Sequence, residues 1–553
     1  MPATSYKNLI REAIENEIFL YTLEYVPDIK PEDGGDEALR KLRHMAGQVA
    51  GDPRVRGFNI GDRVKSLNSF STVDCGTITA EASGKVPLLH LAGKDRLPSE
   101  AREVFACADS LGLTNYLILT GDGVHQPSRP GRVRYQDSVN AIADAKKTLP
   151  HCFVAAAVAP FKYREEELMN QYLKMVKKIN VGADYIITNC GWDMGKFEEL
   201  IWYRAQRGLK TPIVANLLLP QWGWAKSIHA GRLPGVHMSD DLFAKLTEER
   251  SALGKQAAER LYARLVLQIV GVKLMGYAGV QLSGVDDYES LCRVIEATEA
   301  LEKQITTLED WRQAWDEMHT LADGRIVDFG APGGLYLQHL AAGGPAAEAR
   351  RDIHPSAEEL RKYNVLKATH DLLFDPDAIG TRVIAPLVKA LDASPLTRDA
   401  LRAVEHRFKT STLGCEMCGT CRIPYLSYIC PETCPKGLAN GPCAGVQDNV
   451  CEFKDRECIH SRKFRLSKEA GTLTDLEEVI IPAVEGTRET SSWANEYNHV
   501  TRPAPRVPSR AACAVVAPNV TDYCFEKDKG PRGSGESAIE RGPKVLEERY
   551  GKC

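Results

Sequence analysis

Residues 1–310 predict a (β/α)8 barrel, and two observations carry that reading. Eight short apolar runs rich in Val, Ile and Leu recur along this stretch, and helical patterns separate most of them. Parallel strands covered by helices on both faces read as near-continuous apolar runs, and eight β-then-α units need roughly 250 residues or more to close. A doubly wound sheet is the alternative.

In chain order the expected strands are Phe19–Val26, Val55–Ile60, Val86–Leu91, Tyr116–Leu119, Cys152–Val158, Tyr185–Thr188, Pro212–Leu219 and Gly279–Leu282. Helical patterns include Glu165–Val181 before the sixth and Gln256–Met275 before the eighth. A bridge follows over 311–400. Trp311–Leu321 reads as helix, Asp323–Gly344 as a Gly-rich loop, and Glu358–Phe374 and Ile384–Leu391 as amphipathic helices. The loop lacks the strand-to-helix context of a phosphate-binding glycine loop. Residues 401–500 hold a Cys-rich domain, and from 501 to 553 Pro, Arg, Gly and Ser dominate, the composition of a mobile tail.

The formal net charge of -4 argues against a general nucleic-acid binder, which is normally basic. No apolar run is long enough for a membrane span, and the first residues lack the basic head and apolar run of an export signal. A cytoplasmic protein is the expectation.

Barrel active sites lie at the C-terminal ends of the strands. There the sequence places Glu24, Asn59, Asp62, His90, Lys94, Asp95, Thr120, Gly121, Asp122, Thr188, Asn189, Asp193 and Gln281. Carboxylates beside apolar strands need partners or a task, because burying an unpaired charge is costly. Any one of them reads equally well as an exposed loop residue; the set points to a site.

Half of the 16 cysteines fall in one stretch: Cys415, Cys418, Cys421, Cys430, Cys434, Cys443, Cys451 and Cys458. Iron–sulfur clusters take sets of four thiolates, and eight cysteines make two sets. The opening Cys-x2-Cys-x2-Cys is ferredoxin-like, but the fourth cysteine comes eight residues on rather than three. Zinc also takes four cysteines, with His460 available to complete a site. Disulfides suit a reducing compartment least. Cys513, Cys524 and Cys553 show no ligand spacing.

Several motifs together carry a resemblance. They are Leu23-Glu24-Tyr25-Val26-Pro27, His90-Leu91-Ala92-Gly93-Lys94-Asp95, Leu117-Ile118-Leu119-Thr120-Gly121-Asp122, Ala156-Ala157-Val158-Ala159-Pro160-Phe161-Lys162 and Gly182-Ala183-Asp184-Tyr185-Ile186-Ile187-Thr188-Asn189. In this order they resemble the methylenetetrahydrofolate reductase family, in the bacterial branch that joins a flavin barrel to a Cys-rich domain. The resemblance implies Glu24 as general acid at N10 of the folate and Asp122 as the carboxylate that stabilises the N5 iminium cation. These roles require environments that push the two pKa values apart. It implies folate contacts from Asn189, Asp122 and Gln281. It implies flavin contacts from Asn59, His90, Thr120, Gly121, Asp122, Tyr135, Gln136, Ala156, Gln171 and Lys178, with Lys178 facing the flavin phosphate and Lys162 in a similar role. The expected cofactor is FAD, with FMN as the alternative: Thr120 stands where NADH-using relatives carry arginine and Gln171 where they carry aspartate, departures that imply a different electron donor or FMN in place of FAD. Asn189, one methylene shorter than the family's glutamine, shortens the reach to folate.

The resemblance also implies [4Fe–4S] clusters on the eight cysteines, with zinc as the alternative. A ferredoxin-like or other electron-donor protein then becomes the expected partner beside the tetrahydrofolate-type substrate, and a homo-oligomer is compatible with it. Two other functions stay open: a tetrahydrofolate-dependent methyltransferase or demethylase on the same barrel, and a zinc-bound docking module.

Overall fold

In the computed structural model, residues 6–32, 36–124, 132–331, 333–338, 354–501 and 503–508 are described. The barrel is closed, in chain order, by β1 (Leu20–Tyr25), β2 (Val55–Ile60), β3 (Leu88–Ala92), β4 (Asn115–Leu119), β5 (Phe153–Val158), β6 (Tyr185–Thr188), β7 (Ile213–Leu218) and β8 (Gly279–Ser283). All pairs are parallel, and the β1–β8 pair closes the sheet, so the open doubly wound alternative is excluded. Each expected strand lies within two residues of the observed one at either end. Closure sets Leu20 against Gly279 and Leu23 against Leu282. A Cβ on Gly279 would sit 2.4 Å from the Leu20 carbonyl oxygen, so the seam demands glycine.

The interior is filled at one end and open at the other. Leu20, Leu88, Phe153, Tyr185 and Val214, near the starts of their strands, cluster with Ile10, Ala13 and Ile14 of the short helix Leu9–Glu15, which plugs the N-terminal end. Each such side chain contributes roughly 1.5–3 kcal/mol by leaving water. Asn115 at the start of β4 is satisfied at this end by Asn8 at 2.7 Å, and the barrel stays hollow at its C-terminal end.

The helix Glu165–Asn180 departs from its sequence pattern. Its three glutamates and three lysines look like a solvated face, yet all sixteen residues are buried. The Cys-rich segment packs over its outer side: Asn170 donates to the His460 carbonyl at 2.9 Å, Lys177 to the Val479 carbonyl at 2.6 Å, and Lys468 pairs with Glu165 at 2.9 Å.

In the bridge, the expected helices appear as Leu308–Met318, Ala357–Phe374 and Ile379–Asp392. The last begins five residues before the expected Ile384 and carries Pro386 inside it. A 19-residue helix, Pro395–Leu413, which the sequence reading lacks, runs across position 400 into Cys415. Pro395 opens it and Gly414, left-handed at φ 64°, closes it. The Gly-rich stretch is loop over its described part up to Tyr336; residues 339–344 lie outside the described residues. Cys415–Cys458 holds only two 3-10 turns, Ile423–Leu426 and Pro431–Thr433. After residue 501, the Ile480 and Val507 backbone N–H groups donate to the Pro505 and Glu478 carbonyls, so the stretch 503–508 is tied down; 509–553, with Cys513, Cys524 and Cys553, lies outside the described residues. Among the described residues no helix is long and apolar enough to cross a membrane.

Candidate active site

A cavity of about 1070 Å³ fills the open end of the barrel. Single small ligands commonly occupy roughly 300–1,000 Å³, so the space admits two ring systems together. Glu24, His90, Thr120, Gly121, Asp122, Gln171, Lys178, Asn189 and Gln281 all line it, as the sequence expects.

Glu24 ends β1. Its Oε2 lies 2.5 Å from the Ser283 hydroxyl on β8, and that hydroxyl is 2.8 Å from Asn216 Oδ1 on β7. Burial pushes the Glu24 carboxyl up from its ordinary value, and the Ser283 contact opposes this only in part.

Asp122 projects into the cavity from the turn after β4. Burial and the nearby Glu452 carboxylate push it up, while Lys436 and Lys94 pull it down. The expected split between the two carboxyls is therefore not produced by burial, which raises both. It depends on the two ammonium groups beside Asp122. Gly121, at φ 84°, makes the turn; a Cβ there would meet Lys94 Cδ at 3.0 Å and Ala92 Cβ at 3.1 Å.

One wall of the cavity comes from outside the barrel, which the sequence did not reveal. Lys436, Pro442, Cys443, Ala444, Gly445 and Glu452 line it. Barrel side chains grip this wall by its carbonyls. Lys174 donates to Gly441 and Pro442 at 3.0 and 3.1 Å, Gln171 to Cys443 at 2.9 Å, and Lys162 to Ala444 at 2.8 Å and to Val446. Lys178 donates to the Ala157 carbonyl at 2.5 Å, and burial, with Lys174 nearby, lowers its pKa to about 7.

These contacts test whether a flavin fits. His90 Nε2 is buried on the cavity, has no hydrogen-bond partner among the described residues, and burial holds the imidazole neutral at about 4. That orphaned atom and the volume suit a flavin ring. Gln171 and Lys162, expected near the flavin phosphate, already serve the 441–446 loop, while Lys178 lines the cavity and donates to Ala157 O.

Four expected cofactor residues do not reach the cavity. Asn59 spends its amide on Thr22 and Gln281, at 3.0 and 2.6 Å. The Tyr135 hydroxyl accepts from Val124 N at 2.7 Å and so braces the loop after Asp122. Gln136 pairs through its backbone with Gly93, and Ala156 packs in the core. Asn189 lines the cavity, but its Nδ2 donates to Gly235 O at 2.8 Å and its Oδ1 accepts from Cys190 N at 2.9 Å. Among the other strand-end carboxylates, Asp62 binds Ala92 N, Arg63 and Arg96, and Asp193 accepts from Tyr163 and Tyr336; both are structural.

The eight clustered cysteines are free thiols. Mutual electrostatic influence sorts them into two sets. Cys415, Cys418, Cys421 and Cys430 surround one small closed space beside Lys409. Cys434, Cys443, Cys451 and Cys458 form the other. Burial raises the thiols of both sets. As the side chains stand, no group of three or more His, Cys, Asp or Glu among the described residues converges on a single ion. Cys443 belongs to the second set and also lines the cavity.

The sequence profile described as "Methylenetetrahydrofolate reductase" matches residues 9–270, and the one described as "Methylene-tetrahydrofolate reductase C terminal" matches residues 395–485. The second covers the helix Pro395–Leu413 and all eight cysteines. No curated protein matches the chain. Among solved structures, the chain is similar to an uncharacterized protein from Clostridium thermocellum that binds two copies of 5-methyl-5,6,7,8-tetrahydrofolic acid. That likeness has 12% identity and a TM-score of 0.35, over 54% of this chain and 100% of that one. A dihydrodipicolinate synthase from Bacillus clausii matches at 12% identity and TM-score 0.26, over 53% of this chain and 99% of that one. Likeness at this level adds nothing to the closed barrel already described.

Proposed function

The chain belongs to the methylenetetrahydrofolate reductase family, a family of folate-metabolising oxidoreductases, and from that premise we propose that it interconverts 5,10-methylenetetrahydrofolate and 5-methyltetrahydrofolate. The observation that carries the reading is that Glu24 and Asp122 enter one two-ligand cavity in different electrostatic surroundings. Glu24 has no cation among the groups acting on it, whereas Asp122 has two.

Glu24, kept neutral by burial, is suited to give its proton to N10 of the folate as the five-membered ring opens. Asp122 is raised on balance by burial and Glu452, against the pull of Lys436 and Lys94, and the cation that develops at N5 would draw it to its ionised form. A flavin bound in the cavity supplies the hydride. His90 offers its unpartnered nitrogen to that ring, and Lys178 its ammonium to a phosphate. Because the 441–446 loop already engages Gln171 and Lys162, the site favours FMN over the longer FAD. The two cysteine sets would each hold one [4Fe–4S] cluster, and such clusters pass single electrons. Cys443 in the cavity wall puts the second set next to the reaction space, with a ferredoxin-like protein as external donor.

A second reading, folate-dependent methyl transfer, draws support from the engaged Asn189 amide and the occupied flavin anchors. Anaerobically purified protein separates the two. Bound flavin, iron with acid-labile sulfide, and oxidation of 5-methyltetrahydrofolate by an artificial acceptor support the reductase. Methyl transfer without flavin turnover supports the alternative, and zinc without iron supports a docking role for the Cys-rich domain.

A further inference from the structure

We infer that Ser283 and Asn216 are positioning residues that fix the acidic proton of Glu24, with the Glu24 O–H donating to Ser283 and the Ser283 O–H donating to Asn216. The inference rests on the reading of Glu24 as the general acid.

The argument is a count of protons. Ser283 Oγ stands 2.5 Å from Glu24 Oε2 and 2.8 Å from Asn216 Oδ1. A hydroxyl carries one proton, and a carboxamide oxygen only accepts. With Glu24 ionised, both neighbours of Ser283 would be acceptors, and one of the two short oxygen–oxygen contacts would have no hydrogen in it. With Glu24 protonated, both contacts hold a hydrogen, the one to Glu24 short and the one to Asn216 of ordinary O–H···O length.

The barrel holds the three groups in place. Leu23 pairs with Leu282 between β1 and β8, and Asn216 with Gln281 between β7 and β8. The three side chains therefore stand on adjacent strands, Ser283 beside Glu24 and two residues beyond Gln281, the register partner of Asn216. The titratable group facing Glu24 from beyond β6 is the Cys190 thiol, pushed up to about 12 chiefly by burial, so it is neutral as well. No cation on these strands acts on Glu24 to favour its carboxylate.

The same pair serves the other half of the cycle. Once the proton has passed to the folate nitrogen, the Ser283 hydroxyl turns its own proton from Asn216 to the new carboxylate. In the forward direction Glu24 then takes up a proton from water before the next turnover, and in the reverse direction the proton returns from the substrate.

The test is infrared difference spectroscopy of the full-length protein at neutral pH, reading the carbonyl stretch of a protonated carboxyl. The inference expects a band that Glu24→Gln removes, Ser283→Ala shifts to higher frequency, and Ser283→Thr restores. A band lost in Glu24→Gln but unmoved by Ser283→Ala would overturn the inference and leave Glu24 as the acid. No band assignable to Glu24 would overturn both. Asn216→Leu gives a second reading: the freed Ser283 proton turns to Glu24, so the pH at which the band disappears falls by about one unit. An unchanged midpoint in that variant contradicts the relay.

Discussion

Lys436, two residues past Cys434, donates a 2.8 Å hydrogen bond to the carbonyl of Gly121, the residue that precedes Asp122 in the barrel. The contact joins the Cys-rich segment to the loop carrying a proposed active-site carboxylate. Glu452 completes it from the same side, accepting from Gly123 N at 2.5 Å and pairing with Lys436. The two parts of the chain thus build one site.

Lys436→Met removes a hydrogen bond made by a charged donor, worth about 1.5–3 kcal/mol, and leaves Glu452 without its cation. Folate turnover is expected to fall on the order of 10- to 100-fold. Iron content should stay at the wild-type level, and metal analysis alongside steady-state kinetics checks both.

Cys418→Ser and Cys443→Ser strike different sets. Each is expected to lose about four of about eight irons. Because only Cys443 lines the cavity, only its variant should also perturb the spectrum of the bound flavin. Iron and sulfide counts with visible spectra decide this.

Lys178 is a buried lysine whose pKa falls to about 7 in the fold. Its folded value lies below the unfolded one. The stability it leaves intact above pH 10 is therefore lost as pH falls toward 7, at a cost on the order of 4 kcal/mol. Lys178→Met should raise the melting temperature at pH 7 and flatten its rise between pH 7 and 10. The same variant should bind flavin more weakly, which fluorescence titration measures.

Asp52 accepts from Arg54 and from the Tyr288 hydroxyl, and the Arg54 contact above all lowers its pKa to about 2. Here the depressed group is a carboxylate. Its contribution of about 2 kcal/mol is present above pH 4 and disappears as pH falls through about 2. Asp52→Asn should destabilise the protein at pH 7 by about that amount and show a shallower acid limb in denaturant titrations.

The barrel was legible because its strands are buried on both faces and announce themselves as apolar runs; β2 and β6 match the expectation end to end. Glu24 and Asp122 were legible as carboxylates at the ends of such runs. Ser283 and Asn216 were not, since a single serine or asparagine at a strand end has no signal until the neighbouring strand is known. Lys436 and Glu452 act across more than 300 residues of sequence, which no local pattern reports. The helix Glu165–Asn180 misleads for the same reason: its charges are buried by carbonyls and ion-pair partners supplied from residues 441–479. The helix Pro395–Leu413 did carry a start and stop signal, Pro395 and Gly414, overshadowed by the cysteines that follow.

The central claim, that Glu24 serves the folate and not the flavin, is tested by resolving the two half-reactions of Glu24→Gln by stopped flow. Reduction of the flavin by an artificial donor should keep its wild-type rate, while reoxidation by 5,10-methylenetetrahydrofolate should fall by at least about 100-fold. Equal loss of both half-reactions, or wild-type reoxidation by the folate, would contradict it.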